Sequence, residues 1–99
     1  MFKLQERLLD TAELEALIKK FPKWEYREDS LKQDFMFGDF REAFEFMVQV
    51  AEIAESIDHH PDWSNSWNKV SISISTHSAG GLTALDLKFV EKVETLSDL

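Results

Sequence analysis

The chain has no cysteine, which excludes disulfides, thiolate chemistry and sulfur-ligated metal. Cationic side chains are also scarce. Eleven Lys and Arg stand against nineteen Asp and Glu, for a formal charge of −8. Such a surface repels phosphate backbones and anionic lipid, so neither nucleic acid nor a membrane surface is expected as a partner. No run approaches the roughly 18–20 apolar residues needed to span a bilayer. The first ten residues alternate polar and apolar instead of forming the apolar stretch of a signal peptide. There are no repeats, linkers or low-complexity segments. The 99 residues are therefore expected to form one domain, 1–99, in the cytoplasm.

Large apolar side chains are plentiful. Hydrophobic residues make up 43% of the chain and include eight Phe and three Trp. A domain of this size buries roughly 60–65% of its unfolded surface, so its core is small and a partner subunit would help.

Local patterns give an element order. Asp10-Thr11-Ala12-Glu13 reads as a capping box, opening a helix that runs to about Lys20, before Pro22. Trp24–Tyr26 and Leu31–Phe37 read as strands joined by a polar turn. Gly38-Asp39 starts the longest helix, with Asp39 as N-cap, ending near Ile57. Its apolar positions fall in two stripes. Phe40, Ala43, Phe44, Met47, Ala51 and Ala54 form one; Phe46, Val50, Ile53 and Ile57 form the other. Together they span roughly 220° of the circumference, more than one packed face needs. The second stripe is expected to meet another subunit or, failing that, the N-terminal helix. Asp62–Ser66 reads as a short strand. Val70–Ser75 alternates strictly and is the clearest strand. Ala79-Gly80-Gly81 is a turn, and Thr83 caps a last helix, with Asp86 at its third position, running to about Leu96. The order α-β-β-α-β-β-α predicts an α+β two-layer sandwich, a four-stranded antiparallel sheet with helices on one face.

All three histidines, His59, His60 and His77, lie between positions 59 and 77, at a helix exit and at a strand exit. Imidazole takes up and releases protons near neutrality, and element ends are where sites are built. Glu55 projects into the apolar arc of the long helix, where a carboxylate needs a partner. An i,i+4 pair with His59 is expected, beside Asp58. Asp86 is accounted for by its capping position, with an orienting role toward His77 as the further expectation. Trp24, Trp63 and Trp67 are flat enough to stack on a heterocycle, although each alone is better explained as a core or interface aromatic.

The spacing Glu55-x3-His59-His60-Pro61, five residues, Trp67, nine residues, His77, eight residues, Asp86 resembles the pattern of the pterin-4a-carbinolamine dehydratases. This family is also known as the dimerisation cofactor of a hepatocyte nuclear factor. Asp58–Trp63, Asn68-Lys69-Val70, Ser75-Thr76-His77 and Gly81-Leu82-Thr83 look like its core text, and the likeness runs from about Trp24 to Val93. Ala79 departs from it, because some members carry Cys there. The resemblance implies His59, His60 and His77 as catalytic residues. It implies substrate contacts from Glu55, Asp58, Pro61, Ser75, Thr76 and Ser78, with Asp86, Trp24 and Trp63 in support.

The reaction so implied removes water from a 4a-hydroxytetrahydropterin. It needs one acid and one base and neither metal nor cofactor, the pterin being the substrate. The resemblance further implies a homodimer or homotetramer that recycles tetrahydrobiopterin for an aromatic amino acid hydroxylase. Two rivals remain. One is a three-histidine metal site, for which the adjacent pair His59-His60 is awkward because neighbouring side chains diverge. The other is a non-catalytic protein-binding module of the transcriptional coactivator type.

Overall fold

The computed structural model describes residues 7–96. Its elements are α1 (Thr11–Lys20), β1 (Glu25–Arg27), β2 (Ser30–Met36), α2 (Phe40–Ile57), β3 (Asp62–Ser66), β4 (Lys69–Ile74) and α3 (Ala84–Glu94), with a 3-10 turn at His77–Ala79. The fold is the expected α+β sandwich: one four-stranded antiparallel sheet in the order β1-β2-β4-β3. β1, β2 and β4 each lie one residue away from the expected spans, and α3 stops at Glu94 instead of Leu96.

The alternation in β4 decides which face is covered. Val70, Ile72 and Ile74 are buried with Leu31 and Phe35 of β2 against Phe46 and Val50 of α2 and Phe89, Val90 and Val93 of α3. Residues directly opposed in an antiparallel pair share a face. Lys32, Ser73 and Asp62 therefore form one row across β2, β4 and β3, and Asp34, Ser71 and Ser64 form the next. Both rows lie on the side away from the apolar core.

All three helices start at the caps read from sequence. Asp10 and Glu13 complete a capping box on α1, and Asp39 accepts from Glu42 N–H on α2. Thr83 and Asp86 form a second box on α3. Arg7 reinforces the first of these. Its guanidinium reaches Glu13 at 3.0 Å, and that hydrogen bond, with the Asp10 N–H behind it, holds the Glu13 carboxyl below the usual carboxylate range.

The wide apolar arc of α2 is divided by the fold. Ala43, Phe46, Val50 and Ala54 are buried, whereas Phe40, Phe44 and Val48 are about half exposed. The helix packed beside α2 is α3. The residues leading into α1 meet the segment entering α3, where Leu9 N–H bonds the Leu82 carbonyl at 2.8 Å.

The β1–β2 turn carries backbone strain. Arg27 pairs with Ser30, leaving Glu28 and Asp29 as a two-residue loop with φ of 53° and 61°. Both residues occupy the left-handed region that such a hairpin turn demands, and neither is glycine. Replacing Glu28-Asp29 with Asn-Gly is expected to raise stability by about 1 kcal/mol, because each side chain in that region costs of that order. Urea denaturation checks this; an unchanged or lowered midpoint contradicts it.

Candidate active site

The end of α2 sets the position of its histidines. Asp58 adopts φ 51° and ψ 46°, the left-handed residue that closes many helices. His59 N–H then bonds the Ala54 carbonyl at 3.0 Å, and Asp58 N–H bonds that of Glu55 at 3.3 Å. This is a Schellman closure made without glycine, and it turns the chain sharply before Pro61. Helical phase is lost after Ile57, which changes the expected pairing. Glu55 bonds His60, not His59, with Nε2···Oε2 at 2.6 Å. Nor is Glu55 in an apolar enclosure; its side chain is 78% exposed. On the circumference of α2 it falls between Phe44 and Val48, which are themselves open to solvent.

His59 turns the other way, into the protein. Its side chain is only 11% exposed and meets Asp86 of α3, which is fully buried, at 2.7 Å. Asp86 had been matched with His77; its imidazole partner is His59. The opposite carboxylate oxygen accepts from Thr76 Oγ1 at 2.7 Å and from Thr83 N–H at 2.8 Å. Thr76 and Thr83 hydroxyls lie 2.8 Å apart. Thr83 Oγ1 also accepts Leu85 N–H, so its own hydrogen is free to point to Thr76, and that of Thr76 points to Asp86. Three donors thus surround one buried carboxylate. A carboxylate can only accept, so His59 carries a hydrogen on Nε2 and presents Nδ1 as its other ring nitrogen.

His77 lies on the 3-10 turn, whose ends are tied by Thr76 N–H to the Gly81 carbonyl at 3.0 Å. Gly80 closes the turn at φ 74°, a conformation suited to glycine. His77 Nε2 meets Asp62 Oδ2 at 3.2 Å, with both side chains exposed. Sequence reasoning missed Asp62. The signals for it were its place in the stretch Asp58–Trp63 and its parity in β3, which puts it opposite Ser73, immediately after Pro61 on the strand that reaches His77.

Two side-chain hydrogen bonds therefore bridge the stretch Asp58–Asp62 and the stretch Thr76–Asp86: His59 to Asp86, and Asp62 to His77. Each of the three imidazoles is held through Nε2 by its own carboxylate. Among the described residues no three His, Asp or Glu side chains gather as a metal ion would require. Ser75 turns from the histidines, donating to the Asp29 carbonyl at 3.0 Å. Trp24 is core, with its Nε1 on Glu94 at 3.0 Å. Glu94 is eight residues beyond Asp86 on α3, about 12 Å along the axis. Trp63 and Trp67 remain partly exposed.

Comparison with known proteins identifies a family. Residues 7–96 match the family model described as pterin 4 alpha carbinolamine dehydratase. The chain belongs to this family. Relatives provisionally named pterin-4-alpha-carbinolamine dehydratase are similar over nearly their full length. One from Prochlorococcus marinus strain MIT 9515 is 44% identical over 94% of this chain and 97% of its own. One from Synechococcus sp. strain WH7803 is 44% identical over 90% and 96%. The crystal structure of a transcriptional coactivator/pterin dehydratase from Brucella melitensis superposes with a TM-score of 0.86 at 34% identity. That match covers 92% of this chain and 99% of the other. A pterin dehydratase-like protein identified as a RuBisCO assembly factor of the alpha-carboxysome shares the fold, with a TM-score of 0.60 at 20% identity. The chain is thus a pterin carbinolamine dehydratase of this family. Among its described residues no helix is long and apolar enough to cross a membrane.

The buried carboxylate gives a direct test. Asp86→Asn puts an amide hydrogen toward one of three donors and is expected to cost at least ~2 kcal/mol, the penalty for unpairing groups around a buried charge. Urea denaturation measures the loss, and ¹⁵N spectra of the His59 ring read the tautomer. Unaltered stability together with an unaltered ring spectrum contradicts the assigned network.

Proposed function

We propose that the chain dehydrates a 4a-hydroxytetrahydropterin by histidine acid–base catalysis, with His59 as base and His77 as acid. In the reaction the N5 proton is removed, the C4a hydroxyl is protonated and leaves as water, and a C4a=N5 double bond forms in the quinonoid dihydropterin. The observation that carries this reading is the 2.7 Å bond from His59 Nε2 to the buried Asp86. A carboxylate fixed by three donors holds the ring by Nε2 and leaves Nδ1 as the nitrogen that takes the proton. His77 stands on the exposed turn with Asp62 behind it, suited to deliver a proton to the leaving hydroxyl. His60, on Glu55, holds the substrate from the solvent side. Asp58, Pro61 and Ser78 border these groups in sequence and contribute the remaining contacts, whereas Ser75 is turned to the Asp29 carbonyl and Thr76 is buried on Asp86. Neither metal nor cofactor is needed, since both proton transfers are within the reach of imidazole. The product is reduced to tetrahydrobiopterin for reuse by an aromatic amino acid hydroxylase, with the enzyme acting in the cytoplasm.

Decay of a 4a-hydroxytetrahydropterin, followed by ultraviolet absorbance, tests the assignment. Wild-type protein is expected to accelerate it, and His59→Ala and His77→Ala each to lose at least ~10-fold, the contribution of one acid or base. Exhaustive chelation is expected to leave the rate unchanged. Wild-type protein that fails to speed the decay defeats the reading.

The exposed ridge of Phe40, Phe44 and Val48 on α2 supports a homodimer or homotetramer, because contiguous apolar side chains on a helix favour burial against a partner. Sedimentation of wild type is expected above the monomer mass, and of Phe44→Asp at a smaller mass. A wild-type monomer at micromolar concentration refutes this assembly. The same ridge is what a protein-binding, non-catalytic role would use; wild-type protein that binds a partner through this ridge and does not speed the decay would favour that alternative.

A further inference from the structure

The sheet face away from the helices carries a polar shelf of which the proposed chemistry uses only Asp62. Its cavity of about 360 Å³ is lined by Lys32, Asp34, Asp62, Ser64, Ser71 and Ser73 among others. The register explains the grouping. Lys32, Ser73 and Asp62 lie in one row, and Asp34, Ser71 and Ser64 in the next. Neighbouring strands are ~4.8 Å apart and successive rows ~6.6 Å apart, so hydrogen-bonding groups recur at intervals that a short hydroxylated chain can bridge. The hydroxyls of Ser64, Ser71 and Ser73 bond no other protein group among the described residues. Charge on the shelf is compensated. Asp34 pairs with Lys69 Nζ at 3.6 Å, and Lys32 offsets Asp62, which lies in the same row. That balance favours neither an anion nor a cation. Mixed donors and acceptors at close spacing suit vicinal hydroxyls, each of which both gives and accepts a hydrogen bond.

Asp62 belongs to the shelf and to the His77 pair at once. A ring held at His77 therefore has the start of the shelf within one side chain's reach.

We infer that this shelf is the subsite for a neutral polyhydroxylated substituent of the substrate, the side chain at C6 of the pterin. It makes the enzyme selective for pterins with free side-chain hydroxyls over those with a simple alkyl group. The inference rests on the proposed dehydration for its position beside His77, so two readouts separate them.

The first readout compares dehydration of a 6-(dihydroxyalkyl) substrate and a 6-methyl substrate. Wild type is expected to show a KM at least about fivefold lower for the hydroxylated one, the gain from one or two neutral hydrogen bonds. Ser71→Ala/Ser73→Ala is expected to abolish that difference while kcat for the methyl substrate stays at the wild-type value. These are exposed-face substitutions in a strand, and an unchanged thermal midpoint verifies the fold.

The second readout needs no catalysis. The stable oxidised pterins with the same two side chains are titrated into ¹⁵N-labelled protein, and the hydroxylated one is expected to shift the Asp62, Ser71 and Ser73 amides selectively. Dehydration of both substrates with equal KM, or amide shifts confined to other strands, overturns the subsite and leaves the dehydratase mechanism standing. Discrimination in the titration without dehydration of either substrate does the reverse.

Discussion

A carboxylate out of reach of water must have its lone pairs occupied, and Asp86 meets that demand with groups from three parts of the chain. Thr83 N–H comes from the start of its own helix, the Thr76 hydroxyl from the end of β4, and His59 Nε2 from the turn after α2. The residue that caps α3 is therefore also the residue that orients an imidazole. Folding and the proposed chemistry converge on one side chain. Removing it unpairs a cap, a hydroxyl and a ring together, and so its effects cannot be divided among them by a single substitution. This double duty also explains why capping alone seemed a sufficient reason for an aspartate at that position.

Much of this architecture was legible in the sequence because it rests on local rules. The capping boxes at Asp10 and Thr83, the alternation in Val70–Ile74 and the helix from Phe40 to Ile57 depend on neighbours a few residues apart. The pairing of the histidines was less legible. Extending the i,i+4 rule past Ile57 joined Glu55 to His59, whereas the left-handed Asp58 breaks the helical phase and hands Glu55 to His60. The partnership of Asp86 with His59 spans 27 residues and depends on how α3 lies beside α2, which no local pattern states. Asp62 was passed over for a similar reason. Its role appears only once β3 is set against β4 and the 3-10 turn follows.

The arc of α2 shows the same division between pattern and packing. Its periodicity marked two apolar stripes, but the fold buries residues of both, Ala43 and Ala54 from the first and Phe46 and Val50 from the second, and leaves Phe40 and Phe44 of the first in the open. Glu55 falls on the uncovered side, so its exposure follows from the same projection that had placed it among apolar residues. The projection gives direction; what lies in that direction is a matter of tertiary structure.

β3 is the outermost strand on its side of the sheet, paired only with β4. Edge strands open and close more readily than central ones, at a small fraction of the global unfolding free energy. Asp62 is the first residue of that strand, immediately after Pro61. Asp62 holds His77 through a single 3.2 Å bond between two exposed side chains, whereas His59 is bonded at 2.7 Å to a carboxylate shut away from water. An edge is thus the first place where opening is expected and a core network the last, and the two imidazoles sit at opposite ends of that order.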